Sequence, residues 1–128
     1  MITAAARGEP YACFVRPGTR IPFMTMPDAI EALLLLAGVE RARLTRTAYN
    51  LTAFSPPAEE ICNIVMQEFP GAQIPWKVDE KRKRIVDSGL ADGVDTAAPR
   101  DWHFAAPHAF THAVDEFLVP HTQDRYRR

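Results

Sequence analysis

His108 and His112 stand four residues apart, a spacing that on a helix puts both imidazoles on one face. Two such nitrogens can hold a divalent metal when a third ligand joins them, and Asp115 and His121 are the acid and the histidine within reach. No glutamate lies between the two histidines as it does in the zinc-protease motif. The reading adopted is therefore a pair of solvent-facing histidines and no metal. Asp28 presents a similar choice. It can be a functional carboxylate facing a pocket, or it can belong to a helix start in which Thr25 caps the chain and Pro27 sits in the first turn. The capping reading accounts for all three residues. Lys81–Arg84 is a basic run able to meet a phosphate, yet Asp79, Glu80 and Asp87 offset it, so it reads as a solvated helix face. Trp76 and Trp102 read as core aromatics rather than ligand platforms. Cys13 and Cys62 each sit among apolar residues and are expected to be buried, reduced thiols. Without a Cys-x-x-Cys pair there is no thiolate zinc signature.

The nucleotide and nucleophile motifs are missing. No Gly-x-Gly-x-x-Gly, no Gly-Lys-Ser/Thr phosphate loop and no Gly-x-Ser-x-Gly elbow occurs. No tyrosine is followed four residues later by lysine: Tyr11 leads to Val15 and Tyr49 to Ala53. No catalytic, cofactor-binding or metal-binding residue is assigned on motifs.

The elements that must position these residues follow from local patterns. A helix tail at Thr3–Arg7 stops at Gly8, and strands are expected at Tyr11–Val15 and Ile21–Met24, with a Pro17-Gly18 turn between them. An apolar helix from Pro27 to about Ala37 follows, ended by Gly38 in a left-handed conformation. Ile30, Leu33, Leu34 and Leu36 leave it so apolar that burial on more than one side is required. A charged connector, Glu40–Arg46, leads to a strand at Thr47–Thr52. Ser55 as N-cap and Pro56 at the first position then start a helix with Ile61, Ile64, Val65 and Phe69 on its inner face. Gln73–Val78 reads as a strand, at an edge because of Pro75. Asp79 caps a short helix, Glu80–Val86, and Val94–Thr96 starts another turn of helix toward Trp102. The last helix carries Phe110, Val114, Phe117 and Leu118 and ends at Pro120. Irregular alternation of strands and helices predicts an α/β layer of the mixed α+β kind.

With 128 residues, one domain (1–128) is expected. A net charge of -1 supplies no electrostatic drive toward nucleic acid or anionic membrane, and the basic end, Arg125–Arg128, reads as a frayed tail. The apolar run at Ala29–Ala37 is too short to span a bilayer, and the first residues lack the basic-then-apolar order of a signal peptide. The expectation is a cytoplasmic protein with no nucleic-acid or membrane partner.

Several segments in register resemble one family. Tyr11–Ile30 is similar to the start of the C-terminal part of short-chain-type L-threonine 3-dehydrogenases and their epimerase-like relatives, the extended short-chain dehydrogenases/reductases. Tyr49–Leu51 with Ser55–Ile61 matches the next strand–helix unit, and Ile85–Ser88 and Asp95–Trp102 match the closing segments. In that family a Gly-rich loop binds NAD, the cofactor accepts hydride, and a tyrosine of a Tyr-x-x-x-Lys pair passes a proton. The resemblance implies the substrate-binding part without that nucleotide-binding half. It implies a small mixed sheet with about four helices, no cofactor in this chain alone, and NAD for a full-length relative. It places Asp87, Ser88 and Gly89 at the substrate pocket. Relatives carry Trp-Pro after Asp-Ser where this chain has Gly89-Leu90. The diphosphate-gripping Arg-x-Gly-Asp-like segment of sugar-nucleotide epimerases is not matched, which favours a small amino acid or hydroxy acid over a sugar nucleotide. Removal of the nucleotide-binding half exposes apolar helix and strand edge. The expected partners are therefore a second copy of the chain or a separate Rossmann-containing chain, alongside a small-molecule substrate.

Overall fold

A computed structural model describes residues 1–89, 91 and 96–126. Among them the expected α/β fold with its small mixed sheet gives way to a helical one without a strand ladder. The helices are α1 (Ile2–Arg7), α2 (Met26–Ala37), α3 (Ala58–Glu68), α4 (Glu80–Asp87), α5 (Ala97–Trp102), α6 (Phe110–Ala113) and α7 (Val119–Tyr126), more than the four or so expected. A 3-10 turn occupies Arg41–Arg43, and a π turn, Val114–Leu118, joins α6 to α7.

Among the described residues the four expected strands do not form, and their segments carry isolated bridges at most. Cys13 bridges Trp76 in parallel, and Phe23 bridges Phe54 and Arg20 bridges Pro57 antiparallel. Each contact is a single bridge. A ladder needs successive N–H and C=O groups on both sides. Cys13 exchanges its N–H and C=O with Pro75 O and Lys77 N at 2.9 Å each, but Pro75 has no N–H to extend the pairing. None of these bridges involves the 47–52 segment.

The helix signals fare better because they are local. Thr25 Oγ1 accepts from the Asp28 N–H at 3.2 Å, and Pro27 lies in the first turn of α2. Asp79 caps α4 by accepting from the N–H groups of Lys81 and Arg82 at 3.0 Å, and the basic run on that helix is largely solvated. Gly8 closes α1 at φ 67, a conformation that favours glycine. Three expectations are corrected. Gly38 ends α2 at φ -87 rather than in the left-handed region. Pro57, not Ser55, stands at the N-cap of α3. Pro120 does not end the last helix, since α7 continues to Tyr126. The π turn explains the last. Val119 N–H reaches back to Val114 O, and the widened turn accommodates a proline that neither donates nor fits a regular α-helix interior. The expected start of α5 at Val94 and Asp95, and Leu90 in the closing segment, lie outside the described residues.

Among the described residues, two apolar clusters hold the chain together. One joins α3 to the segments around Cys13 and Ile74 through Cys13, Val15, Cys62, Val65 and Ile74. The other packs Ala32 of α2 against Ala98, Trp102 and Phe104. Trp102 is a core aromatic as expected, whereas Trp76 is 39% exposed. Both cysteines are buried and free. Among the described residues, no helix is long and apolar enough to cross a membrane.

Candidate functional site

α2 lies against the chain on its more polar face. Asp28 and Ala32 are buried, and Leu36, one turn further on, packs against the cluster that contains Ala32. Met26, Ile30, Leu33 and Leu34 are 71%, 52%, 66% and 70% exposed. The burial on several sides that this helix calls for is therefore not supplied by the described residues. Asp28 is 0% exposed, and its Oδ1 accepts from His108 Nδ1. Its Oδ2 is buried and has no hydrogen-bond partner among the described residues. Leaving such an atom unpaired costs about 1–3 kcal/mol. A carboxylate on Nδ1 fixes the ring and leaves Nε2 available, an arrangement suited to moving a proton or binding a metal.

His108 does not sit on the last helix. It belongs to the segment before α6, whose first residue is Phe110. The pairing with His112 survives for a different reason: Asp28 anchors His108, whose ring lies 4.9 Å from that of His112. The ring also meets Phe117 edge-on at 5.2 Å. His112 pairs through Nε2 with Glu116 Oε1, one turn further along. One ligand atom each from His108, His112 and Glu116 lies within 4.8 Å of the others. The third member is Glu116, not Asp115 or His121 as the sequence suggested.

Phe117 also lines an apolar groove of about 800 Å³, bordered by Phe23, Met26, Ile30, Phe54 and Leu118. The groove thus lies between the exposed part of α2 and the π turn. A second polar centre surrounds Asp101. Its Oδ2 accepts from Thr45 N at 3.0 Å, Thr45 Oγ1 at 2.6 Å and Tyr49 OH at 2.7 Å, and its Oδ1 from Arg100 Nε at 2.8 Å. The Arg100 guanidinium, then Thr45 and Tyr49, hold its carboxyl well below the usual carboxylate range. Burial, then the hydrogen bond to Asp101, raises the Tyr49 phenol. In the first apolar cluster, burial and the neighbouring Cys13 push the Cys62 thiol up to about 12, which suits an inert thiol rather than a nucleophile.

The residues assigned to a substrate pocket lie apart from the groove lining, at the end of α4. Asp87 Oδ2 accepts from Arg16 Nη2 at 3.0 Å, Ser88 Oγ donates to Ile85 O at 2.7 Å, and the Gly89 N–H donates to Val86 O at 3.0 Å. These three residues are brought together by adjacency in sequence. Asp101, Glu116 and the Asp28–His108 bond were not read from the sequence. Asp101 lies within a segment matched to the family, and the four-residue step from His112 to Glu116 is the signal that could have found Glu116.

No family model matches the chain. Among curated proteins it is 31% identical to bovine mitochondrial L-threonine 3-dehydrogenase over 98 residues, which is 77% of this chain and 26% of that enzyme. It is 35% identical to an uncharacterized epimerase/dehydratase of Staphylococcus aureus strain USA300 over 102 residues, 78% of this chain and 32% of the relative. The chain thus spans roughly a quarter to a third of the length of the curated relatives it matches. Among solved structures, a monomeric L-threonine 3-dehydrogenase from a metagenome superposes with a TM-score of 0.85 at 28% identity, covering 98% of this chain and 40% of the enzyme. The GalE-like L-threonine dehydrogenase of Cupriavidus necator in its apo form gives 0.79 at 29% identity, covering 97% and 43%.

Proposed function

We propose that this chain, whose homologues are L-threonine 3-dehydrogenases and epimerase/dehydratase proteins, acts as the substrate-handling segment of an NAD-dependent oxidoreductase or epimerase. The hydride and proton machinery is then supplied by a nucleotide-binding part outside residues 1–128, and the chain alone is inactive. One observation carries the reading: the likeness runs over most of this chain but a minor part of each relative, and the chain holds neither a Gly-rich loop nor a Tyr-x-x-x-Lys pair. The substrate is a small amino acid or hydroxy acid, met by the Asp87–Gly89 segment. The setting is cytoplasmic, where buried free thiols such as Cys13 and Cys62 remain reduced.

Titrating the chain with NAD, followed by tryptophan fluorescence, is expected to give no saturable change. Co-expression with the nucleotide-binding part of the Cupriavidus relative is expected to give NAD reduction dependent on L-threonine. Micromolar NAD affinity of the chain by itself overturns the reading.

The exposed stripe on α2 favours a second reading, that of an interaction module. The chain then dimerises, or docks on a separate Rossmann-containing chain through Met26, Ile30, Leu33 and Leu34.

A further inference from the structure

We infer that His108, His112 and Glu116 form a binding site for a divalent transition metal of the zinc class, with Asp28 orienting His108 from behind. Two nitrogens and one carboxylate oxygen make the donor set of three-ligand zinc sites, in which water takes the fourth position. One ligand atom from each of the three residues lies within 4.8 Å of the others. Bonds of about 2.0–2.2 Å in a tetrahedron bring ligand atoms to about 3.4 Å from each other. Rotation of His112 and Glu116, whose side chains are 46% and 54% exposed, opens their direct pairing and turns both donors toward His108.

The independent observation is Asp28. A fully buried carboxylate holds His108 by Nδ1, which leaves Nε2 for the metal, and its second oxygen has no partner among the described residues. Such a carboxylate–histidine pair behind a metal fixes the ring and raises its basicity. It also gives the buried negative charge a nearby cation, transmitted through the ring. An ordinary surface histidine pair has no need of a buried aspartate eighty residues away. The site adjoins the apolar groove through Phe117, which lines the groove and touches the His108 ring.

The test uses the full chain, freed of any affinity tag and stripped with chelator. Zinc is titrated in competition with a chromogenic indicator, and cobalt binding is followed by visible absorption. One ion per chain is expected, with the intense visible bands of four-coordinate cobalt. His112→Ala and Glu116→Gln are each expected to weaken zinc binding by at least about tenfold, and Asp28→Asn by about 10–100-fold. His121→Ala is expected to leave affinity unchanged. Asp28→Asn can fail to fold, so Glu116→Gln, a change at an exposed position, decides the matter on its own. Substoichiometric zinc, or affinity that Glu116→Gln and His112→Ala do not alter, overturns the site.

Discussion

Asp101 holds together parts of the chain that are far apart in sequence. Its Oδ2 takes three hydrogen bonds from Thr45 and Tyr49, more than fifty residues away, while Oδ1 takes one from the adjacent Arg100. Since these donors favour the ionised carboxylate, its folded pKa is lowered. The sign follows by linkage. The contribution is complete above the unfolded value of about 3.9, and is lost as pH falls below it toward the folded value. Asp101→Asn is therefore expected to lower the melting temperature at pH 7 by about 5 °C or more. Its loss of stability between neutral pH and about pH 3 is expected to be shallower than that of the parent chain. Thermal melts of both proteins across that range check this, and parallel pH curves would refute it. The sequence showed Asp101 only as part of a matched segment, because a carboxylate's donors cannot be read before the chain is folded. Asp28 was legible in part. The capping alternative correctly placed its amide on Thr25, while the partner of its side chain, His108, comes from the other end of the chain.

Helices and strands differ in what they require. A cap is decided within four residues, so α2 and α4 start where Thr25 and Asp79 indicate. Thr25 is buried as well as capping. Thr25→Ala is expected to cost about 1 kcal/mol or somewhat more in urea unfolding, and Thr25→Ser to recover most of it. An equal loss in both variants would show that the methyl group, not the hydroxyl, matters at this helix start. Strands are decided by neighbours. Tyr11–Val15, Ile21–Met24, Thr47–Thr52 and Gln73–Val78 have the composition of strands, yet among the described residues the first and last share one bridge, the second has one to Phe54, and Thr47–Thr52 has none. Composition names residues that suit a strand but does not supply the partner that a ladder needs. Pro120 was misread for a related reason. A proline ends a helix of regular pitch, whereas the π turn at Val114–Leu118 offers a wider path. There His121 Nδ1 and Thr122 Oγ1 also donate to the carbonyls of Phe117 and Leu118, at 2.8 and 2.6 Å.

At the scale of the molecule, the distribution of apolar surface on α2 runs opposite to that of a surface helix. Such a helix buries its large apolar side chains and exposes its charges. Here an aspartate and an alanine are among the buried residues, while Met26, Ile30 and Leu33, at positions i, i+4 and i+7, form an outward stripe that Leu34 widens. The stripe runs beside the apolar groove, which Met26 and Ile30 also border. Contiguous exposed apolar surface of this kind marks a contact face. Removing a fully buried leucine side chain from water is worth about 1.5–3 kcal/mol, so covering several provides a substantial drive toward association. The chain is therefore expected to self-associate at high concentration, and Leu33→Glu combined with Leu34→Glu is expected to make it monomeric. Because both positions are exposed within one chain, the intrachain urea stability of that variant should stay within about 0.5 kcal/mol per substitution. Sedimentation velocity over a concentration series reads the first effect, and urea unfolding at low concentration reads the second. A parent chain that stays monomeric throughout would remove self-pairing and leave docking on a separate nucleotide-binding chain as the reason for the stripe. If the double variant unfolds instead, the leucines belong to this chain's own packing, and the stripe is not a contact face.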